Sequence, residues 1–257
     1  MKHHRDLSQW RQYRDTQDRW APGFVPTMGG LHEGHRSLIE RSVRENDQTV
    51  VSLFLNPTQF DQRADLDSYP AEQEADLEAL ARWGVDDVLM PAPEAMYPDD
   101  YRFRVSEQDL SRTLCGAHRE GHFDGVLTVV LRLLNLVRAK RAYFGEKDWQ
   151  QLSLVRGMAD AFFIDTTIVG CPVIREDSGL ALSSRNARLD AREAALAPAL
   201  HRTLATSRTA EDAAKVLGGL GFDVDYVRDL DGRRLAAAHL GATRLIDNIA
   251  LEDVHAP

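Results

Sequence analysis

Short apolar runs alternate along this chain with stretches of helical periodicity, and this alternation most strongly constrains the fold. The run Val50–Leu55 is almost continuously apolar, as expected for a strand covered on both faces. The segment Gly34–Glu45 places Leu38 and Ile39 inward and its charged residues outward, which predicts an amphipathic helix. Strands separated by helices predict an α/β fold with a doubly wound, Rossmann-like parallel sheet.

The same criteria predict the other elements of this sheet. Further strands are predicted at Phe24–Val25, Val88–Met90, Ala142–Phe144 and Thr166–Ile174, and further helices at Ala71–Trp83, Gly125–Val137 and Trp149–Ala161. Gly84 is expected to cap the helix before it. Sheets of this kind bind ligands at the carboxyl ends of their strands, so residues at those positions are candidates for a functional site.

The pattern changes after about Val173. Ala191–Ala214 is rich in alanine and charged residues and predicts a surface helix, while Val224–Leu230 and Thr243–Ile249 predict short strands. We therefore predict a large domain over residues 1–173 and a smaller α+β domain over residues 174–257.

Composition excludes several classes of protein. A net charge of −9 argues against a general nucleic-acid surface, which needs a basic face. Cys115 and Cys171 are far apart, so a reduced, cytoplasmic compartment is expected rather than a disulfide scaffold. The longest apolar stretch, Val126–Val137, contains Arg132 and Asn135 and is too short to span a bilayer. We expect a soluble protein without membrane or nucleic-acid partners.

The most informative motif is Val25–His35, where the first predicted strand meets the first predicted helix. Gly29 and Gly30 allow the backbone to approach a ligand closely, and the free N–H groups of a helix start suit phosphate. His32 and His35 are three residues apart, so they share one face and could together stabilise charge on a phosphate. The alternatives are a helix cap, a surface histidine, or part of a metal site, although zinc would need further ligands.

A second motif, Gly145–Gln151, also lies where a predicted strand ends and a helix begins. Lys147 offers a compact positive charge for phosphate. Asp148 could cap the helix, bind ribose hydroxyls or help to hold Mg²⁺. The alternative is a polar turn with one solvated lysine.

Two more motifs complete the candidate site. Leu182–Asn186 combines two hydroxyls with a guanidinium, a combination that suits phosphate, although a helix cap with a surface arginine is the alternative. In Asn56–Phe60, Gln59 could bind a carboxylate or hydroxyl while Phe60 forms a wall, or the segment could be a plain polar turn. Three of the four motifs follow predicted strands directly, which predicts one shared ligand site.

The segment MGGLHEGH at 28–35 resembles the HIGH-type motif of adenylate-forming nucleotidyltransferases. With NPTQF at 56–60, GEKDWQQ at 145–151, LSSRN at 182–186 and RLIDN at 244–248, the chain resembles the pantothenate synthetase (pantoate–β-alanine ligase) family. The resemblance implies a ligase of vitamin B5 and coenzyme A biosynthesis. In the implied reaction pantoate and ATP give pantoyl-adenylate and pyrophosphate, and the amine of β-alanine then displaces AMP to give pantothenate.

The resemblance also implies roles for individual residues. The catalytic residues would be His32, His35, Lys147 and Arg185, with His35 at the position that the family describes as a proton donor. The ATP-binding positions would be Met28, Gly29, Gly30, Leu31, His32, Glu33, Gly34, His35, Gly145, Glu146, Lys147, Asp148, Ile174 (through its backbone), Leu182, Ser183, Ser184 and Arg185. The substrate-binding residues would be Gln59 and Gln151. Mg²⁺ would accompany the triphosphate, with no protein ligand identified for it, and a homodimer is usual.

Two departures from the family pattern stand out. Glu120 occupies a position where the family usually has proline, and the carboxyl-terminal domain is expected to be shortened, which bears on lid closure and on the dimer. An alternative function is an adenylyltransferase of the same superfamily that acts on a phosphorylated small molecule. A non-catalytic binding protein would be favoured by the loss of His32, His35 or Lys147, and all three are present.

Overall fold

The structure is a computed structural model that describes residues 1–61, 63–67, 69 and 72–254. It divides into two compact units. The first contains Met1–Glu146 and Gln150–Cys171, and the second contains Lys147–Trp149 and the described residues from Pro172 onward. The predicted roles of the two domains stay predictions: binding of ATP and pantoate by the large domain, and a lid formed by the small one.

The first unit is built on a six-stranded sheet in which every pairing is parallel. Its strands are β1 (Lys2–His4), β2 (Gly23–Thr27), β3 (Thr49–Leu53), β4 (Asp87–Leu89), β5 (Arg141–Gly145) and β6 (Thr167–Cys171). Their spatial order is β1-β4-β3-β2-β5-β6. The chain therefore moves outward from β2 to one side and returns to the other side at β5, so the topological switch point lies between these two strands.

The helices along this part of the chain fall where the crossovers of a parallel sheet require them. They are α1 (Leu7–Asp15), α2 (Glu33–Glu45), α3 (Arg63–Asp67), α4 (Gln73–Arg82), α5 (Pro93–Met96), α6 (Cys115–His118), α7 (His122–Val137) and α8 (Trp149–Ala161). Val25, Val51 and Val88 of the sheet pack with Ile39 and Leu80 of the helices in one buried cluster. This burial on the sheet face stabilises the fold and fixes where the strands end.

The predicted fold class is confirmed, and the predicted strands and helices of this unit differ from the observed ones mainly at their ends. Gly84 follows α4 with a φ of 82°, as expected for a helix stop. Ala71, where the α4 prediction begins, lies outside the described residues. The sequence prediction missed β1 and α1, which are short and polar, and the short helices α3, α5 and α6.

The second unit contains an antiparallel sheet of three strands in the order β7-β8-β9. These strands are β7 (Asp223–Leu230), β8 (Arg233–Leu240) and β9 (Thr243–Ala250). Strand β8 was missed because its sequence, RRLAAAHL, is rich in alanine, which has little strand preference. It lies between the two predicted strands of the domain that was expected to be shortened, and all eight of its residues are paired with β9.

The single helix predicted over Ala191–Ala214 is wrong, because this segment forms parts of three helices. They are α9 (Ala191–Leu196), α10 (Ala199–Thr206) and α11 (Ala210–Gly219). Pro198 lies at the start of α10, where its missing N–H costs nothing, and the Thr209 hydroxyl caps α11 by accepting from the Asp212 N–H at 3.0 Å. Across the described residues, no helix is both long and apolar enough to cross a membrane.

Candidate active site

The loop that follows β2 at the switch point has a left-handed backbone held by a buried carboxylate. Gly29 and Gly30 have φ values of 89° and 64°, which glycine adopts without steric cost. Asp76 of α4, only 5% exposed, accepts hydrogen bonds at 2.9 Å from the backbone N–H groups of both Gly30 and Leu31. One side chain therefore fixes the path by which the chain enters α2.

His32 and His35 cap the start of α2 together. The Nδ1 atom of His32 accepts from the backbone N–H of Gly34 at 3.1 Å, and the Nδ1 atom of His35 accepts from the backbone N–H of His32 at 3.3 Å. The two rings lie 4.2 Å apart between centroids and are half-buried. The functional and the structural interpretations of this pair are therefore compatible, since the histidines are helix caps and also neighbours on one face.

The cap fixes the tautomer of both rings. An imidazole nitrogen that accepts from a backbone N–H carries no proton, so in the neutral ring the proton lies on Nε2. The helix start thus holds two Nε2–H donors in a set orientation. Such an arrangement suits an oxyanion such as a phosphate oxygen.

Several backbone amides of this loop, predicted to be free for phosphate, donate to the protein itself. Those of Gly30 and Leu31 donate to Asp76, and that of Gly34 donates to His32. The side chain of Glu33 is exposed and pairs with Arg36 at 3.2 Å. These three amides are therefore already engaged, which leaves the imidazole Nε2–H groups as the candidate donors for an anion.

Gln59 lies in a turn whose hydrogen bonds decide which end of its amide faces outward. The backbone N–H of Thr58 donates to Oδ1 of Asn56 at 3.3 Å, which identifies that atom as the oxygen. The Nδ2 atom of Asn56 then donates to Oε1 of Gln59 at 3.0 Å, and Nε2 of Gln59 lies 3.0 Å from Sδ of Met28. Gln59 therefore presents N–H groups on the side of Met28.

Residues that the sequence analysis missed hold this turn in place. The hydroxyl of Tyr97 donates to Oδ1 of Asn56 at 2.6 Å, and burial raises the pKa of Tyr97 to about 12, so it remains a donor. The ring nitrogen Nδ1 of His122 lies 2.7 Å from the carbonyl oxygen of Gln59. A Cβ added at Gly125 would lie 2.3 Å from the carbonyl oxygen of Thr58, so only glycine allows α7 this close.

The segment that contains Glu120 is tied to the same turn. Arg119 pairs with Asp61 at 3.1 Å and also donates to the carbonyl oxygen of Gln59 at 3.4 Å. The segment is thus held by its flanking residues, and Glu120 itself is exposed.

Gly145 ends β5 at the switch point, followed by a 3-10 turn over Glu146–Asp148 and then α8. Gln150, in the first turn of α8, is buried and donates to the carbonyl oxygens of Leu110 and Thr113 at 2.8 Å. Its neighbour Gln151 is half-buried, and the described part of the chain offers its side chain no hydrogen bond. Gln150 is therefore structural, and the assignment of Gln151 as a substrate-binding residue stays a prediction.

The other predicted site residues belong to the second unit. Its segment Lys147–Trp149 includes Lys147 and Asp148. Ile174 and Leu182 bond to each other, since the Leu182 N–H donates to the Ile174 carbonyl at 2.9 Å. The Ser183 hydroxyl caps a 3-10 turn over Ser184–Arg188 by accepting from the Arg185 N–H at 3.2 Å, which is the structural alternative named for this motif. The capped hydroxyl still has its own proton to donate.

A doubly wound parallel sheet with loops at its switch point defines a Rossmann-like α/β protein of the kind that binds ligands at that point. Comparison with known proteins identifies the family. The sequence model described as pantoate-β-alanine ligase matches residues 1–250. A pantothenate synthetase from Bdellovibrio bacteriovorus is 50% identical over 247 residues, which is 96% of this chain and 98% of that protein. One from Coxiella burnetii is 47% identical over 243 residues, 95% of this chain and 94% of that protein.

Solved structures agree. The pantoate-β-alanine ligase of Francisella tularensis, solved in complex with beta-gamma ATP and β-alanine, superposes with a TM-score of 0.93 at 37% identity and covers 98% of each chain. The pantothenate synthetase of Thermus thermophilus has a TM-score of 0.90 at 38% identity, covering 98% of this chain and 99% of that one. This chain belongs to the pantoate-β-alanine ligase family. The predicted family and the predicted ligase class are confirmed, and the adenylyltransferase alternative is not favoured.

Proposed function

We propose that this chain joins pantoate to β-alanine with ATP, through a pantoyl-adenylate, and releases AMP and pyrophosphate. The family match over residues 1–250 supports the overall reaction. The observation that carries the proposed chemistry is the fixed pair of Nε2–H donors on His32 and His35 at the carboxyl end of β2. Attack on the α-phosphate of ATP builds negative charge on phosphate oxygens, and preorganised donors stabilise such charge most effectively.

In the first step, a carboxylate oxygen of pantoate attacks the α-phosphorus while the bond to the β-phosphate bridging oxygen breaks. His32 and His35 donate hydrogen bonds to the phosphate oxygens, and His35 is the proposed proton donor. The glycine turn, fixed by Asp76, sets the position of both rings. In the second step the amine of β-alanine attacks the acyl carbon, AMP leaves, and the amine loses a proton.

The acid is proposed to bind at Gln59 and Gln151. The Nε2–H groups of Gln59 face outward because Asn56 occupies its Oε1 atom, so Gln59 suits an acceptor such as a carboxylate or hydroxyl oxygen. One N–H of this amide donates to Sδ of Met28 at 3.0 Å, which leaves the other for the acid. This arrangement supports Gln59 as a determinant of acid specificity.

The triphosphate is proposed to gain further donors from Lys147, Ser183, Ser184 and Arg185 of the second unit, whose chemistry suits phosphate oxygens. Gly145, Glu146, Asp148, Ile174 and Leu182 are proposed to line the nucleotide. The second unit is proposed to act as a lid that shields the adenylate from water.

Mg²⁺ is proposed to enter with ATP. The described residues contain no group of three or more His, Cys, Asp and Glu side chains arranged to hold a metal, so protein ligands alone do not form a site and no step is assigned to the ion. Phosphate oxygens would provide ligands of the kind that Mg²⁺ prefers. A homodimer and a cytoplasmic location are further proposals. The family supports the homodimer, and two buried cysteines that form no disulfide support the location.

The test is incubation with ATP, pantoate and β-alanine, with the nucleotide products identified. Stoichiometric AMP and pantothenate are expected, each dependent on the acid and the amine under multiple turnover. ADP in place of AMP, or AMP release that ignores the amine, would contradict the proposal.

A further inference from the structure

The motif RLIDN at 244–248 is part of the family resemblance, but it has no role in the proposed reaction. We propose that Asn248 and its neighbour Arg233 are positioning residues. They hold the backbone of Lys147 where its side chain can reach the triphosphate. This inference rests on the proposed role of Lys147 at the triphosphate. All three residues belong to the second unit.

Asn248 binds the backbone of Lys147 directly. It lies near the end of β9, is 2% exposed, and donates from Nδ2 to the carbonyl oxygen of Lys147 at 3.0 Å. Its Oδ1 atom accepts from Nε of Arg233 at 2.7 Å. A carbonyl oxygen can only accept and a guanidinium N–H can only donate, so both contacts independently require the same orientation of the amide.

Arg233 contacts Trp149, at the other end of the segment Lys147–Trp149. Its guanidinium lies 4.3 Å from the centroid of the Trp149 ring, a cation–π geometry. Lys147 and Trp149 are thus linked through a single pair of side chains on two adjacent strands, β8 and β9. These contacts link Lys147–Trp149, which includes the first residue of α8, to the sheet of the second unit.

Asn248 is itself fixed by the residue before it. The carboxylate of Asp247 accepts from the backbone N–H of Asn248 at 2.7 Å, and it pairs with both terminal nitrogens of Arg175, at 2.6 and 2.9 Å. A bidentate pair of this kind restricts orientation as well as position. The contacts of Asp247 therefore restrict the position of Asn248, which in turn binds the backbone of Lys147.

A lysine has a long and flexible side chain, so its usefulness at a phosphate depends on how well its backbone is anchored. Displacement of a catalytic group by about 1 Å can lower a rate by roughly 10²-fold. We therefore expect Asn248→Ala to reduce the rate of adenylate formation by about 10- to 100-fold, while the KM for β-alanine changes little, because the amine enters only in the second step.

The decisive experiment is a double-mutant cycle on pantoate-dependent exchange of pyrophosphate into ATP, measured in the full chain. The variants are Asn248→Ala, Lys147→Ala and the two combined. If Asn248 acts through Lys147, the double variant is no more than about threefold slower than Lys147→Ala alone, since residues that work as a unit are not additive. Ile249→Val is the matched control, because Ile249 follows Asn248 on β9 and its side chain is buried in the apolar cluster of this unit.

The outcomes separate this inference from the proposed function. Wild-type exchange in Lys147→Ala would overturn both the role of Lys147 and this inference. A slow Lys147→Ala variant with the same Asn248→Ala factor in both backgrounds would overturn the inference alone. Should Asn248→Ala fail to fold, the same cycle with Arg233→Gln decides, because Arg233 is only half-buried and its loss breaks the same hold. Equal factors for Arg233→Gln in both backgrounds would also overturn the inference.

Discussion

The Nδ1 atom of His35 accepts a hydrogen bond from the backbone N–H of His32, 3.3 Å away. This bond caps the helix and also sets the tautomer of a residue that is proposed to be catalytic. The same imidazole that caps the helix carries its proton on Nε2, where the proposed reaction needs a donor. A capping glutamine or glutamate would serve the helix equally well. Histidine differs from these residues in having a second ring nitrogen, which can donate a hydrogen bond while the first one caps the helix.

That distinction predicts different results for two substitutions of His35. His35→Gln should keep the reciprocal cap and most of the stability, yet lower turnover by about two to three orders of magnitude, because the imidazole donor is lost. His35→Ala should lose similar turnover and in addition about 1 kcal/mol of stability. Turnover and urea unfolding of both variants check this. Near-normal turnover in His35→Gln would reduce the role of this residue to capping.

The orientation of Gln59 predicts a change in acid binding. Gln59→Glu exchanges the outward N–H groups for a carboxylate oxygen, which repels the carboxylate of the acid. We expect the KM for pantoate to rise by at least about 10-fold, with Gln59→Ala giving a smaller increase and the KM for ATP changing little in both. Steady-state kinetics with each substrate varied in turn measures this. Equal increases for pantoate and ATP would contradict the assignment.

Asp76 gives a prediction for a residue that touches no proposed substrate. Asp76→Asn leaves one of the two amides, of Gly30 or Leu31, facing an NH₂ group and unpaired, at a cost of about 1–3 kcal/mol. Turnover should fall as the histidine loop shifts. Glu74→Gln is the control, since Glu74 is exposed on the same helix two residues earlier. Asp76→Asn with wild-type stability and turnover would show that the loop does not depend on this carboxylate.

His201 predicts a pH dependence of stability. Burial, followed by the charge of Arg175, lowers the pKa of this histidine, so the folded state favours the neutral ring. Its contribution is therefore complete above the unfolded pKa of about 6.5 and is lost as the pH falls through the lower folded value. Urea unfolding at pH 8 and pH 5 should show a smaller loss in His201→Gln than in wild type. His3→Gln, at an exposed site, should behave as wild type, and an unchanged loss in His201→Gln would oppose this explanation.

Local pattern predicted the parallel sheet well, because burial on both faces of strands such as β3 is written directly into their sequences. It did not find β1, which is polar and pairs only with β4 at the edge of the sheet. Nor did it find β8, whose alanines are buried between two other strands. Strand β1 forms through pairing with β4, a distant segment that no local window contains. Strand β8 pairs with its sequence neighbours β7 and β9, and it was missed because alanine has little strand preference.

The site residues assigned from the motifs stay predictions, and the residues that support these motifs were not predicted at all. Asp76 had one signal in the sequence, since it is a charged residue that shares the buried face of α4 with Ala79 and Leu80. Asn56 lay within a predicted motif, yet its role depends on Tyr97, 41 residues away. Contacts of this kind come from tertiary packing and leave no periodic trace in the sequence.

The most direct test of the proposed chemistry follows one oxygen atom. Pantoate labelled with ¹⁸O in its carboxylate is converted with ATP and β-alanine, and the AMP and pyrophosphate are analysed by ³¹P NMR. Attack of the carboxylate on the α-phosphorus predicts one ¹⁸O atom in the phosphate of AMP and none in pyrophosphate. AMP without the label, formed along with pantothenate, would contradict the acyl-adenylate.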